Sequence, residues 1–559
     1  MKRSITLIVV VCMILTLAIS ACESKKEGIS ADDVRGSEKL IGIEFNDAEI
    51  DTMLSYIEEN RAGYDSMRMF QLHYKTAPAL NFDPRPQGFE QKLRSEHSDW
   101  KLPSNVTRPE NDAALAFMTI PDLAALLRSG QITSTELTKI YLERIRQFDD
   151  SLQAVITITE DLALAQAEKA DQEIKAGRYR SLVHGIPYGI KDLFSVPGYK
   201  TTWGAAPYKN QELNEKAAIV SRLEEAGAVL IAKLTSGALA RGDVWFGGKT
   251  KNPWDLKQGA SGSSAGSGSA TSAGLVAFSI GTETLGSIIS PSTRCGVTGL
   301  RPTFGAVSRA GGMSLSWSMD KAGPICRSAQ DCAIVFNIIK GKNNSDTDRS
   351  TVDYGYSFDP PVDLTGYKIG YFKELFDKDT TKVGSNNEAA LALLRQLGAS
   401  MEELSIPKDL PYDAFDIILR AEAGAFFDEL VRAHGDREMV EQDKRSRANS
   451  LRQSRFISAV EYLQANRFRT KLIDDFYAVT KDYDILVSPT FGSRQSLITN
   501  LTGNPAISLP TGLDSLGHPT SITLLGNLYD EKPLVEAAFL FQEASDYDEM
   551  HPKRFLGKN

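Results

Sequence analysis

The chain has 559 residues, 24% charged and 42% hydrophobic, enough to bury a large core and ordinary for a globular protein. Its formal net charge of −9 gives no sign of the basic face usual in a nucleic-acid protein. Five cysteines make no disulfide framework, and six scattered histidines offer no metal-ligand spacing, so neither a metal nor another cofactor is expected.

The chain opens on "MKRSITLIVVVCMILTLAISACESKKEG". Lys2 and Arg3 precede an apolar run of about 15 residues, Ile5 to Ile19, the pattern of a secretory signal rather than of a membrane span. The end of that run, "ISAC" at 19–22, resembles a bacterial lipobox. The resemblance implies a signal peptide over 1–21 and lipid on Cys22. The mature protein is then expected outside the cytoplasm, anchored to a bacterial membrane and facing the periplasm or the exterior. Residues 22–39 read as a polar tether.

Residues 40–118 carry helical patterns such as "AEIDTMLSYIEENRAGY", followed by the Pro-rich connector "APALNFDPRP", and read as a helical region packing on the core. In "GQITSTELTKIYLERIRQF", Thr133 and Glu136 form a capping box ahead of Leu137, Tyr141, Ile145 and Phe148 at helical spacing. "NEKAAIVSRLEEAG" is a helix stopped by Gly227, and "AVLIAKL" is the buried strand after it. The alternation recurs at "YKIGYFKELF", "EAALALLRQLGAS" and "YDILVSPT", with a helical insertion at about 408–480. This is an α/β chain, one large unit with a mixed β-sheet covered by helices on both faces.

The stretch Gly259–Gly296, "GASGSSAGSGSATSAGLVAFSIGTETLGSIISPSTRCG", is rich in Gly and Ser. A linker would lack its apolar interior, and a phosphate loop would need GxGxxG or GxxxxGK[ST]. "GSSAG" matches a hydrolase elbow, but that triad needs a later Asp and His, and His518 and His551 lie in polar surroundings. Upstream, "HGIPYGIKD" sets Lys191 among apolar residues, where desolvation favours the neutral amine. A Ser–Lys pair is a known variant of nucleophile and base.

The ordered series "HGIPYGIKD", "TKNPWD", "GSSAGSGSA", "GTETLGSI", "CGVTGLRPTFG", "DKAGPICRS", "DILVSPT" and "GNPAISLPTG" resembles the amidase signature family, Ser-cisSer-Lys amide hydrolases, in its peptide-amidase-like or general branch. The resemblance spans roughly 119–545 and implies a single amidase signature domain over 119–559. It makes Ser287 the nucleophile, Ser263 the bridging serine after a cis bond from Gly262, and Lys191 the base. It places an oxyanion hole in the backbone N–H groups of Thr284, Leu285, Gly286 and Ser287. Asp192 and Glu283 are expected to support the site.

The family form GTDTGGSIR reads here "GTETLGSII". Glu283 replaces Asp, Leu285 replaces Gly, and the Arg is lost, which leaves Arg294 as the replacement charge partner of Glu283. Trp245 and Trp317 are weaker candidates to line the substrate cleft. Cys295 reads as a small buried residue. The expected partner is a small-molecule or peptide amide, with membrane contact through the N-terminal lipid and no nucleic acid. The expected activity is carboxamide hydrolysis through a seryl acyl-enzyme. The alternatives are the A-type subunit of a glutamine-hydrolysing amidotransferase, or a catalytically idle binding protein on the same scaffold.

Overall fold

The computed structural model describes residues 28–559 apart from 97, 99, 343–347, 378–382, 493 and 557–559. The expected signal peptide, the expected lipid site Cys22 and the first part of the expected tether, 23–27, lie outside the described residues. The chain divides into two compact units between residues 76 and 77. Among the described residues no helix is long and apolar enough to cross a membrane.

The first unit holds helices α1 (Ala31–Ile41) and α2 (Asp47–Arg68). Each starts on a capping box, Ser30 with Asp33 and Asn46 with Glu49, so both helix starts have their orphan N–H groups satisfied locally.

In the second unit, the described residues of 77–111 form no helix or strand. There Arg94 Nε lies 2.8 Å from Asp530 Oδ1, and Trp100 stacks on Phe358 with ring centroids 5.2 Å apart. Helix α3 (Ser134–Leu152) begins on the expected capping box, with Thr133 N 2.9 Å from Glu136 Oε2 and Glu136 N 3.1 Å from Thr133 Oγ1.

The strands are β1 (Val155–Ile158), β2 (Pro187–Lys191), β3 (Val229–Leu234), the short pairs β4 (Val244–Trp245) with β5 (Gly248–Lys249) and β6 (Lys251–Asn252) with β7 (Asp255–Gly259), then β8 (Phe278–Glu283), β9 (Thr298–Arg301), β10 (Lys321–Cys326), β11 (Lys368–Tyr371), β12 (Ser400–Glu403), β13 (Ile485–Pro489), β14 (Ala506–Leu513) and β15 (Pro519–Gly526). Eleven of them form one mixed sheet in the order β1-β3-β2-β8-β10-β9-β14-β15-β13-β11-β12, flanked by helices on both faces. The inner strands β2, β3 and β10 are buried at every residue, which is why "PYGIK" and "VLIAKL" read as continuous rather than alternating apolar runs.

Between β7 and β9 the Gly/Ser-rich stretch folds as helix α4 (Ala265–Ser272), strand β8 and helix α5 (Ile289–Cys295). All eight residues of α4 are buried. Two of its hydroxyls are satisfied by neighbouring backbone, Ser267 Oγ donating to Ile280 O at 3.1 Å and Ser269 Oγ to Lys251 O at 2.8 Å, and Thr271 Oγ1 pairs with Ser279 Oγ at 2.9 Å. Small polar side chains let this helix sit deep in the core without orphaned polar atoms at these positions. The insertion expected at about 408–480 contains α6 (Asp416–Phe426), α7 (Arg447–Ser454) and α8 (Ala459–Thr480).

Candidate active site

Parallel strands β2 and β3 set two lysines on opposite faces of the sheet. Ile190 is in register with Lys233, and Lys191 with Leu234, so alternation sends the two ammonium stems apart. Lys233 finds a carboxylate: its Nζ lies 2.7 Å from Asp192 Oδ1, with both side chains fully buried. Asp192 also accepts from Thr202 N at 2.8 Å, and Lys233 donates to Thr201 Oγ1 at 2.6 Å, so this ion pair fixes the 200–202 loop beside the site.

Lys191, fully buried, touches hydroxyls instead. Its Nζ lies 2.8 Å from Ser263 Oγ, 2.8 Å from Thr282 Oγ1 and 3.1 Å from Ser264 Oγ. Burial lowers its pKa to about 7, while the more distant charges of Asp320 and Glu283 act the other way. At neutral pH a large share of this amine is therefore unprotonated and able to accept a proton.

The Gly262–Ser263 peptide bond is cis. A Cβ at Gly262 would stand 1.8 Å from Gly242 O, so only glycine admits the 237–242 loop this close. That loop also reaches Ser263, with Gly237 N donating to Ser263 O at 3.3 Å. Ser264 N donates to Ser287 O at 3.2 Å, which ties the two serine-bearing segments together. Ser264 Oγ donates to Thr282 O at 3.0 Å and accepts from Thr282 N at 3.1 Å.

The segment 284–287 turns at Gly286, whose φ is +80°. Leu285 has an ordinary negative-φ backbone, so its side chain is accommodated and stands 36% exposed. The N–H groups of Leu285, Gly286 and Ser287 donate to no acceptor among the described residues. Thr284 is held from the side, its Oγ1 donating to Asp320 Oδ1 at 2.6 Å. Asp320 Oδ2 in turn accepts from Leu315 N at 2.7 Å and Ser316 N at 3.0 Å.

Glu283 anchors this loop from beneath. Oε2 accepts from Ile288 N at 2.8 Å and Ile289 N at 3.0 Å, and Oε1 accepts from Arg301 Nη1 and Asn500 Nδ2, both at 2.8 Å. Burial alone would raise the pKa of this carboxylate; Arg301 and the surrounding donors outweigh it and hold it at about 2. The charge partner is thus Arg301 and not Arg294. Arg294 sits near the far end of α5, where its Nη1 donates to Gln258 Oε1 at 3.1 Å. The last turn of a helix begun just after Ser287 carries it away from Glu283.

Trp245 pairs through its backbone with Gly248 on the β4–β5 hairpin and packs edge-on against Phe246 at 5.0 Å. Trp317 lines a cleft of about 480 Å³ with Phe82, Glu422, Tyr462 and Arg469. Cys295 is buried, with Sγ 3.7 Å from Ala260 O, and burial pushes its thiol far up. Among the described residues no cluster of three or more His, Cys, Asp or Glu is placed to hold a metal.

One further buried cation stands near the 237–242 loop. Arg447 on α7 is buried, with Nε donating to Leu239 O at 3.1 Å and Nη2 to Ala240 O at 3.3 Å, on the loop that packs against Gly262. Its Nη1 is buried without a hydrogen-bond partner among the described residues. Burial lowers its pKa to about 9, and the Asp320 charge that acts on Lys191 acts on it as well.

Residues 136–498 match the family described as Amidase. The A-type subunit of the glutamyl-tRNA(Gln) amidotransferase of Marinomonas sp. is 33% identical over 485 residues, 78% of this chain and 99% of that one. The native peptide amidase of Stenotrophomonas maltophilia superposes with a TM-score of 0.68 at 28% identity, over 77% of this chain and 97% of that one. An amidase family protein from Bacillus anthracis gives 0.69 at 25% identity, over 78% and 93%. The chain belongs to the amidase signature family, and it is an enzyme, a hydrolase of the amidase class.

Proposed function

We propose that the protein hydrolyses a linear carboxamide through a seryl acyl-enzyme, with Ser287 as nucleophile, Ser263 as proton bridge and Lys191 as base. The observation that carries this reading is the 2.8 Å contact between Lys191 Nζ and Ser263 Oγ, made by a buried lysine whose pKa is lowered to about 7. The neutral amine draws the Ser263 proton, Ser263 draws that of Ser287, and Ser287 Oγ attacks the carbonyl carbon. Charge then grows on the carbonyl oxygen, where the N–H groups of 284–287 serve as fixed donors. Such donors contribute several kcal/mol to a transition state. The relay returns its proton to the leaving nitrogen, which departs as ammonia or an amine. Water attacks the acyl-enzyme by the same path and the carboxylic acid is released.

Among carboxamides, glutamine has the firmer support. The Marinomonas relative, part of a glutamyl-tRNA(Gln) amidotransferase, is matched over nearly its whole length. Arg447 supplies a physical reason, because a free carboxylate on the substrate would satisfy its unpartnered nitrogen by a charge-assisted hydrogen bond. The likeness to the peptide amidase favours a C-terminal peptide amide instead. An exported chain would meet glutamine apart from cytoplasmic tRNA, so only the glutamine-hydrolysing half of the relative's role is carried over.

Ammonia release from glutamine and from peptide amides by the purified chain separates these substrates. Preference for glutamine that Arg447→Met abolishes supports the first. Preference for peptide amides that Arg447→Met leaves intact supports the second. Release from neither, with intact folding, removes the hydrolytic reading. We further propose that lipid on Cys22 holds the enzyme at the outer face of a bacterial membrane. Metabolic labelling with a fatty-acid analogue, lost in Cys22→Ser, tests this.

A further inference from the structure

The first unit carries its charge unevenly. Five of the acidic residues of α2 fall at Asp47, Glu49, Asp51, Glu58 and Glu59, and the last is Asp65. From Ser66 to Thr76 the sequence "SMRMFQLHYKT" holds no Asp or Glu and carries Lys75 and Arg68, whose Nη1 lies 3.3 Å from Asp65 Oδ1. Met69 N donates to Ser66 O and Phe70 N to Met67 O, each at 3.2 Å, so the helix ends in tight turns rather than an extended tail. In that tip Met67, Met69, Phe70 and Leu72 are 66%, 76%, 74% and 76% exposed. Scattered apolar residues on a surface are ordinary; four large ones within six positions, with Arg68 and Lys75 near them in sequence, mark an interaction surface.

The sequence ahead of the described residues bears on the occupant. The described chain enters beside Glu58, where Ile29 N donates to Glu58 Oε1 at 3.2 Å. Glu58 and Met69 are eleven positions apart, about 16 Å along a helix axis. Cys22 and Gly28 are six positions apart and span at most about 20 Å when extended. A lipid on Cys22 and the apolar tip can therefore rest on one plane. A single protein–lipid linkage is stabilised by a second membrane contact, and aromatic, Met and basic residues suit the headgroup layer.

We propose that the tip formed by Met67, Met69, Phe70 and Leu72 is a membrane-contact surface that inserts into the headgroup region of an anionic bilayer. Placement of the tip beside the anchor uses the reading of Cys22; the surface itself does not, and the test removes the lipid for that reason. The processed chain beginning at residue 22 and carrying Cys22→Ser is sedimented with vesicles of equimolar phosphatidylglycerol and phosphatidylcholine, and with phosphatidylcholine alone.

The chain is expected to sediment with the anionic vesicles, less so as salt rises, and Phe70→Ser/Leu72→Ser is expected to lower the bound fraction about tenfold or more. Both positions are largely exposed, so amide hydrolysis and circular dichroism are expected to stay unchanged and to report folding independently. A chain that stays in solution with both vesicles overturns the proposal. So does a double variant that sediments like its parent, or one whose effect is to dissolve an oligomer of this chain.

Discussion

Lys191 Nζ and Ser263 Oγ stand 2.8 Å apart in a fully buried setting where the neighbouring lysine, Lys233, has taken the adjacent carboxylate. The pairing of Lys233 with Asp192 leaves Lys191 with hydroxyl partners only. This division gives the pH dependence a sign. The reactive form is the unprotonated amine, so kcat/KM is expected to rise as pH increases through about 7 and to level off above it. Lys191→Arg, which cannot deprotonate in this range, is expected to lose activity by at least about two orders of magnitude. An initial-rate profile from pH 5 to pH 9 checks both; a flat profile, or an active Lys191→Arg enzyme, contradicts the assignment.

The Glu283–Arg301 pair is fully buried on both sides. Removing one partner leaves an uncompensated charge, so Glu283→Gln or Arg301→Met is expected to cost about 3–5 kcal/mol of stability. Glu283 also accepts from Ile288 N and Ile289 N, so kcat is expected to fall more than KM rises as the loop carrying the proposed nucleophile Ser287 loosens. Arg294→Met is expected to leave stability within about 0.5 kcal/mol, since its guanidinium lies elsewhere. Urea denaturation and steady-state rates on the three variants decide between the two arginines.

Leu285 is the exposed member of the proposed oxyanion segment and lies where the family carries glycine. Leu285→Gly keeps the backbone donor and removes the side chain. The ratio of kcat/KM for bulky over small acyl groups is expected to rise, by about tenfold for a contact worth 1–3 kcal/mol. A substrate series graded by acyl size measures this; equal gains across the series would assign Leu285 no part in selection.

The fold was largely legible because its strands are buried runs and its helices carry clear stops and caps. "AVLIAKL" contains β3, "YDILVSPT" contains β13, and Thr133 with Glu136 opens α3 as read. Lys191, Ser263 and Ser287 were legible because they stand in local motifs. What holds them was not. Asn500 reaches Glu283 across 217 positions and Asp320 reaches Thr284 across 36, and no local pattern encodes such pairs. Arg301 and Asp320 do lie inside "CGVTGLRPTFG" and "DKAGPICRS", so the motifs marked them without stating a role. Arg294 was favoured by closeness in sequence, and the run of α5 set it apart.

Away from the site, Asp331 and Asp548 are raised to about 7, chiefly by burial. A carboxyl whose pKa is higher in the folded chain binds more protons there, so stability falls as pH rises from about 4 to about 7. The slope is at most about 1.4 kcal/mol per pH unit for each group. Asp331 Oδ1 accepts from Ile120 N at 2.8 Å, a contact an amide oxygen can keep. Asp331→Asn is therefore expected to flatten the decline, measured as the denaturation midpoint from pH 4 to pH 8. An unchanged slope would show that Asp331 keeps an ordinary pKa.

The most direct test of Ser287 as nucleophile is the intact mass of the chain after reaction with a fluorophosphonate. One adduct is expected on the parent protein, mapped by peptide mass to Ser287. Ser287→Ala is expected to take none, and Lys191→Ala to be labelled far more slowly. A Ser287→Ala chain that still takes the adduct, or an adduct mapped to another serine, would contradict the assignment.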